Sequence, residues 1–222
     1  MSSSEHKKLI IYDLDGTLVD TGEDIAQAVD YMLRQMNSDV LSKAEVRHMV
    51  GGGLHDLVGR CLNTDDPVRV QRGMELFGQF YGQHLCDHSA LYPSVKETLD
   101  YFHARARQAI VTNKPSPFAE ALMDRLGVGH YFSEILAGGS AYPKKPDPAS
   151  VRAVMARGQI APEDALLLGD SPIDVETGRR AGILTVIVTQ GFADRHELEA
   201  AKPDLLIDDV SAFLALVKAR GW

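Results

Sequence analysis

Six short apolar runs recur along the chain, and most are separated by stretches with the spacing of amphipathic helices. This alternation is typical of a parallel β-sheet wrapped by helices. The runs are rich in leucine and β-branched residues, as in strands that are buried on both faces. We predict strands at 9–12, 108–112, 134–138, 165–169, 185–189 and 205–207.

One region interrupts the alternation. Between the first and second predicted strands, residues 21–88 carry only helical patterns, such as IAQAVDYMLRQM and VRVQRGMELFGQFYGQHLC. A segment of this length can form a small subdomain. We therefore predict a helical insertion between the first strand of the sheet and the rest of it.

The composition excludes several classes of function. With 45% hydrophobic residues and a net charge of −8, the chain suits a globular protein and argues against a nucleic-acid-binding surface. No apolar stretch approaches the ~20 residues that span a bilayer. The N-terminus lacks the hydrophobic region and cleavage site of a signal peptide. We expect a cytoplasmic protein with neither a membrane nor a nucleic acid as partner.

A dense group of carboxylates follows the first predicted strand. Asp13 and Asp15 lie two residues apart, so their side chains point the same way, at the sheet edge where α/β proteins bind ligands. Two carboxylates ~4 Å apart repel by roughly 4 kcal/mol at an effective dielectric constant of 20, which a bound cation or proton would relieve. Gly16 would let the backbone turn and aim N–H groups at an anion. A solvated Asx-rich turn is the alternative.

Polar side chains also follow the next three predicted strands. These are Thr112 and Asn113, then Lys144 and Lys145, and then Asp170 with Asp174 one helical turn further on. Each group alone has an ordinary explanation: a loop before proline, solvated lysines, or an acidic first turn of a helix. One shared site explains them together. The hydroxyl, the amide and one lysine would bind an anion, and the carboxylates suit Mg²⁺.

The segments DLDGTLVD, VTNKP, KKPDP and LLLGDSPIDVETGRRAG, in this order, resemble the four motifs of the haloacid dehalogenase superfamily. The resemblance covers nearly all of the chain. It implies an α/β fold: a Rossmann-like core of residues 1–20 and 89–222, with a mostly parallel sheet flanked by helices, and an inserted all-helical cap subdomain at 21–88. It also implies a hydrolase that uses Mg²⁺ and passes through an aspartyl-phosphate intermediate.

The same resemblance implies a role for each catalytic residue. Asp13 would be the nucleophile that attacks phosphorus, and Asp15 would protonate the leaving oxygen and then activate water. Thr112 would bind the phosphoryl group and Lys145 would help to neutralise it. The superfamily's dehalogenases do not carry the second aspartate, so Asp15 favours phosphate esters as substrates.

The metal ligands follow from the first and last motifs. The resemblance implies that Mg²⁺ is bound by Asp13, by the backbone carbonyl of Asp15 and by Asp170. Asp174 would be a ligand through water or a brace for Lys145.

The predicted cap carries a second resemblance. The stretch VRHMVGGGLHDLV at 46–58 resembles a segment of phosphoglycolate phosphatases. Its glycines, Gly51 and Gly53, would let the backbone approach a small ligand, and Arg47 or His55 would meet a carboxylate. With Asn113, these form the expected substrate-binding set. A helix–glycine–helix turn with solvated polar residues is the alternative.

These patterns leave several functions open. The leading prediction is a Mg²⁺-dependent phosphatase for a small phosphorylated metabolite, most of all phosphoglycolate, acting as a monomer or homodimer. A sugar phosphate, a nucleotide or pyrophosphate are alternative substrates. A β-phosphoglucomutase-like phosphoryl transferase and a non-catalytic phosphate-ester-binding module are the remaining alternatives.

Overall fold

The computed structural model describes residues 7–222. Residues 1–6, which belong to the predicted core segment and to the stretch searched for a signal peptide, lie outside the described residues. The strands in chain order are β1 (Leu9–Tyr12), β2 (Val19–Asp20), β3 (Ala90–Leu91), β4 (Arg107–Pro115), β5 (Glu134–Gly138), β6 (Ala165–Gly169), β7 (Leu184–Val188) and β8 (Leu205–Ile207). All six predicted strands are present.

The main sheet has six strands in the order β5-β4-β1-β6-β7-β8, and every neighbouring pair is parallel. The α-helices are α1 (Gly22–Gln35), α2 (Lys43–Met49), α3 (Leu54–Cys61), α4 (Pro67–His84), α5 (Val95–His103), α6 (Phe118–Arg125), α7 (Ala149–Gly158), α8 (Pro172–Ala181), α9 (Arg195–Ala201) and α10 (Val210–Arg220), of which α5 to α10 alternate with the strands of the sheet. The predicted α/β, Rossmann-like fold is confirmed.

Both faces of the central strand are buried, which explains its unbroken apolar sequence. Ile10 and Tyr12 belong to the large hydrophobic core on one face of the sheet, and Leu9 and Ile11 to the core on the other. All four side chains are fully buried. Strand β1 thereby fixes where the residues that follow it emerge.

The sheet order places three motif-bearing loops side by side. Strand β1 lies between β4 and β6, so the chain leaves the sheet at the same edge after each of these strands. The Asp13 N–H donates to the carbonyl of Leu168 at 2.9 Å, which extends the β1–β6 pairing by one residue into the first motif. In such sheets ligands bind where successive connections depart in opposite directions, as they do beside β1.

Helices α1 to α4 follow one another without an intervening strand. Helix α1 buries an apolar stripe that includes Ile25, Val29 and Met32. Ser42 forms a capping box with Glu45 at the start of α2. The segment enters from β2 and returns through β3, and these two strands pair with each other in an antiparallel ribbon. No helix within residues 7–222 is long and apolar enough to cross a membrane.

Candidate active site

The loop after β1 brings the first motif against the motif that follows β6. Gly16 has φ +84°, in the region that favours glycine, and its N–H donates to the Val19 carbonyl at 2.9 Å. A Cβ atom at Gly16 would lie 2.2 Å from Asp170 Oδ2. The motif therefore requires glycine both for its turn and for the close approach of the Asp170 carboxylate.

Three buried carboxylates converge at this edge of the sheet. Asp13, Asp170 and Asp174 each offer an oxygen, and these oxygens lie within 4.8 Å of one another. Burial, with the charges of Asp13 and Asp174, raises the pKa of Asp170 to about 8. Burial also raises the pKa of Asp13 to about 6, although Lys145 opposes this rise. The cluster therefore disfavours full ionisation unless a cation is bound.

Asp170 is held rigidly by neutral donors. The Thr17 hydroxyl donates to Oδ1 at 2.8 Å and the Phe192 N–H donates to Oδ2 at 2.9 Å. Neither donor neutralises the carboxylate. The side chain is thus oriented, and its negative charge, once it is ionised, is left for a bound cation to neutralise.

Lys145 is the buried counter-ion of the cluster. Its Nζ lies 2.9 Å from Asp13 Oδ1 and donates to Asp174 Oδ1 at 2.7 Å. Burial would lower the pKa of Lys145, but the two carboxylates more than offset this and raise it. The other oxygen of Asp174 accepts from the Ser171 hydroxyl at 2.6 Å, so Asp174 braces Lys145 in this structure.

The donor set fits a divalent cation. Three carboxylates and one ammonium leave the cluster with two uncompensated negative charges when all are ionised. Among the described residues, no donor is aligned for a hydrogen bond with the buried Asp13 Oδ1, despite the nearby Lys145. Oxygen ligands of this kind suit a hard cation such as Mg²⁺.

Thr112 and Asn113, at the end of β4, are both buried but engaged differently. Thr112 lines the cavity that Asp13 and Asp15 also line. The Asn113 amide donates to the carbonyls of Gly51 at 2.9 Å and Lys145 at 3.0 Å, while its Oδ1 accepts from the Lys145 N–H at 2.8 Å. Both the nitrogen and the oxygen of the Asn113 side chain are therefore occupied by hydrogen bonds to backbone groups.

The glycine loop before α3 docks onto this edge of the sheet. Gly53 has φ +87°, and a Cβ there would lie 3.2 Å from the Asn113 carbonyl oxygen. Lys144 is exposed, and its Nζ donates to the Gly52 carbonyl at 2.7 Å. Lys144 and Asn113 thus tie the loop to strand β4 and to the segment after β5, a contact that the sequence patterns did not predict.

Arg47 extends from α2 to the loop between β7 and α9. Its guanidinium lies 4.8 Å from the Phe192 ring centroid and donates to the Gly191 carbonyl at 3.4 Å. Arg47 also lines a cleft that Asp13, Asp15 and Asp170 share. His55, the other residue considered for binding a carboxylate, is exposed.

Sequence reasoning missed one buried cation at this site. The side chain of Lys114, at the end of β4, is 4% exposed, and its Nζ donates to Asp15 Oδ1 at 2.9 Å. It also contacts the Tyr81 hydroxyl of α4 at 2.7 Å. The Asp15 oxygen further accepts from the Thr21 hydroxyl at 2.8 Å. The VTNKP motif contains Lys114, but its partner Tyr81 is distant in sequence.

Comparison with known proteins decides the family. A model of haloacid dehalogenase-like hydrolases matches residues 10–188. The chain belongs to this family. It is 36% identical to a phosphoglycolate phosphatase of Vibrio parahaemolyticus over 219 residues, which cover 95% of this chain and 96% of that protein. A phosphoglycolate phosphatase of Pseudomonas putida is 35% identical, over 93% of this chain and 78% of that protein.

Solved structures agree with the fold. A predicted phosphoglycolate phosphatase from Haemophilus somnus superposes with a TM-score of 0.90 and 32% identity, covering 96% of this chain and 98% of that one. A haloacid dehalogenase-like hydrolase from Streptococcus pneumoniae has a TM-score of 0.85 at 23% identity, over 94% and 97% of the two chains. The family predicted from the four motifs is confirmed.

Proposed function

We propose that this hydrolase is a Mg²⁺-dependent phosphatase that cleaves a small phosphomonoester, with phosphoglycolate as the leading substrate. One observation carries the proposal: Asp13, Asp170 and Asp174 converge, with Lys145 paired to Asp13 and Asp174, beside a cavity that Asp13 and Asp15 line. The substrate assignment draws on the relatives of similar length that bear the name phosphoglycolate phosphatase.

Asp13 would act as the nucleophile. Its carboxylate oxygen attacks phosphorus, the bond from phosphorus to the ester oxygen breaks, and an acyl phosphate forms on Asp13. Covalent capture divides one difficult displacement into two easier steps. Lys145, 2.9 Å from Asp13 Oδ1, neutralises charge beside the reacting group, and Thr112 places a hydroxyl in the same cavity.

Asp15 would move the protons. Its carboxyl group gives a proton to the leaving oxygen, and the resulting carboxylate then takes a proton from the water that hydrolyses the acyl phosphate. The Thr21 hydroxyl and Lys114 hold this side chain at the cavity wall. Proton transfer by a positioned group contributes about 10²–10⁴-fold to catalysis.

Asp13, Asp170 and the backbone carbonyl of Asp15 would hold Mg²⁺, which supplies positive charge to the phosphoryl oxygens when it is bound. We assign Asp174 chiefly to bracing Lys145, because both of its oxygens already accept hydrogen bonds. A water-mediated contact from Asp174 to the metal remains compatible with this brace.

We further propose that residues 21–88 form a cap over the core of residues 1–20 and 89–222. The β2–β3 ribbon joins the two parts, and the Gly51–Gly53 loop accepts hydrogen bonds from Asn113 and Lys144 beside the cavity. Closure of such a lid excludes water from the acyl phosphate and selects the substrate. Arg47, Gly51 and Gly53 would act in this closure, with Asn113 as the core contact.

Phosphate release from a panel of phosphomonoesters, with Mg²⁺ and with EDTA, tests the proposal. We expect metal-dependent release that is greatest for phosphoglycolate. Asp13→Asn should abolish turnover, while Asp164→Asn, a matched change at the opposite end of the strands, should turn over substrate at the wild-type rate. Turnover by Asp13→Asn at that rate would refute the mechanism.

The same panel separates the alternatives. If another ester is hydrolysed fastest, the proposed phosphatase mechanism stands and phosphoglycolate is rejected as the leading substrate. Release that appears only as slow leakage, with phosphoryl transfer when a sugar bisphosphate is added, would indicate a mutase. Binding without release or transfer would indicate a non-catalytic module.

A further inference from the structure

The cavity between core and cap has two chemically different sides. Its volume is about 50 Å³, and Asp13, Asp15 and Thr112 line the side at the sheet edge. At roughly 10–15 Å³ per water, this space holds only a few small groups. Apolar side chains line the opposite side: Ile25, Leu54, Leu57, Phe77 and Phe118.

Lys114 is the only cation among the described residues that line this cavity. Its Nζ lies between the Asp15 carboxylate and the cap, 2.7 Å from the Tyr81 hydroxyl and 4.6 Å from the centroid of the Tyr81 ring. Burial raises the pKa of Tyr81 to about 12, so its hydroxyl stays neutral and can donate to an anion. In this structure the Asp15 carboxylate balances the charge of Lys114. When Asp15 carries the proton that it gives to the leaving oxygen, the ammonium beside Tyr81 is left to pair with an anion, at the point where the reactive side meets the apolar side.

Orientation of Asp15 does not by itself require a buried ammonium. The Thr21 hydroxyl already donates to Asp15 at 2.8 Å, and a neutral donor at position 114 would fix the other oxygen. Removing an ammonium group from water costs several kcal/mol of free energy, which interactions with its partners must offset. A cation at the cavity wall has a further use if the substrate brings a second negative charge.

The apolar cap wall restricts what that second group can be. A sugar or nucleoside would place several hydroxyls against leucine and phenylalanine side chains, leaving them without hydrogen-bond partners. A carboxylate on a short chain would instead meet Lys114 and Tyr81. A site built to pair one polar group discriminates strongly against analogues that lack it.

We propose that Lys114, shared with Tyr81 of the cap, binds a carboxylate at the end of the substrate opposite the phosphate, and so restricts the enzyme to small phosphorylated carboxylic acids. This inference rests on the proposed phosphatase function and deepens it. It assigns recognition of the carboxylate to Lys114 rather than to Arg47, whose guanidinium packs on Phe192.

The test compares two esters that differ in one group. Phosphoglycolate carries a carboxylate where 2-hydroxyethyl phosphate carries a neutral hydroxymethyl group, and kcat/KM is measured for both. Lys114→Met should lower turnover of both, because Asp15 loses a partner, but should reduce the preference for phosphoglycolate by a further 10- to 100-fold, the value of a hydrogen bond between charged groups. Arg47→Met, the matched removal of a cation, should change both esters by the same factor.

Each outcome has a distinct meaning. Equal losses on both esters in Lys114→Met would overturn the inference and leave Lys114 as a positioning residue for Asp15. A wild-type enzyme that cleaves both esters equally well would overturn it while the phosphatase function stands. Absence of release from every ester tested would overturn the phosphatase function, and the inference with it.

Tyr81→Phe provides the second variant if Lys114→Met does not fold. It keeps the aromatic ring and removes only the hydroxyl that contacts Lys114. We expect a higher KM for phosphoglycolate and a smaller change for 2-hydroxyethyl phosphate. Equal changes in the two KM values would again overturn the inference.

Discussion

Asp170 should make the metal-free protein less stable as the pH rises, and Asp170→Asn should remove this loss. The carboxyl group has a pKa of about 8 in the folded protein, against an ordinary value of 3.8. Between these values the folded state keeps a proton that the unfolded state has released. The free energy of unfolding therefore falls with rising pH, by at most about 1.4 kcal/mol for each pH unit.

The size of the effect follows from this slope. From pH 5 to pH 7 the loss due to Asp170 is about 3 kcal/mol, and solvent relieves little of it because the residue is 3% exposed. For a chain of this length, 3 kcal/mol corresponds to roughly 6–12 °C in melting temperature. Asparagine fits the same place, because its oxygen can accept from the Phe192 N–H and its amide can donate to the Thr17 hydroxyl.

Urea unfolding in EDTA at pH 5 and pH 7 measures the effect. We expect Asp170→Asn to be more stable than the wild type at pH 7 and to lose most of this advantage at pH 5. The contributions of titrating groups distant from Asp170 cancel in the difference between the two proteins, whereas the neighbouring carboxylates Asp13 and Asp174 interact with Asp170 and form part of the measured effect. Adding Mg²⁺ should stabilise the wild type more than the variant. A difference in stability that is the same at both pH values would refute the reasoning.

Three further substitutions test single contacts. Gly16→Ala should lower turnover by about 100-fold, because its Cβ displaces the Asp170 carboxylate, and steady-state kinetics with a titration of Mg²⁺ would show weaker metal dependence. Lys145→Met should lower the free energy of unfolding by about 3–5 kcal/mol at neutral pH, because it leaves the buried Asp13 and Asp174 carboxylates without their cation. Urea denaturation at pH 5 should show a smaller loss of stability. Ser42→Ala should cost about 1 kcal/mol by breaking a capping box, with unchanged kcat; a thermal melt and a phosphatase assay check both.

The main sheet could be predicted because its strands are buried on both faces. Burial of this kind produces unbroken apolar runs, such as ALLLG at β6, which stand out from the helical pattern around them. Strands β2 and β3 could not be found in this way. Each has two residues, too few for a periodic signal, and their pairing joins segments that are far apart in sequence.

The candidate site was predictable where its residues follow strands, and unpredictable where they depend on the helical segment. Asp13, Asp170 and Lys145 come together because parallel strands end at one edge of the sheet. Lys114 contacts Tyr81 of α4, which is distant in sequence. In the sequence alone, a lysine before a proline is expected to be an ordinary solvated side chain. The contacts of Asn113 with Gly51 likewise exist only once the helices have docked onto the sheet.

The β2–β3 ribbon means that the helical segment is closed on itself. Its two ends pair at Asp20 and Ala90, so the intervening segment of about 70 residues is a single insertion whose ends are held together. Replacing that loop by a five-residue turn would lower the entropic cost of closure by only about 2 kcal/mol. The length and sequence of the segment can therefore change over evolution, or be exchanged between relatives, without altering the register of the six-stranded sheet. The helical segment and the stability of the sheet are thus free to vary separately in this fold.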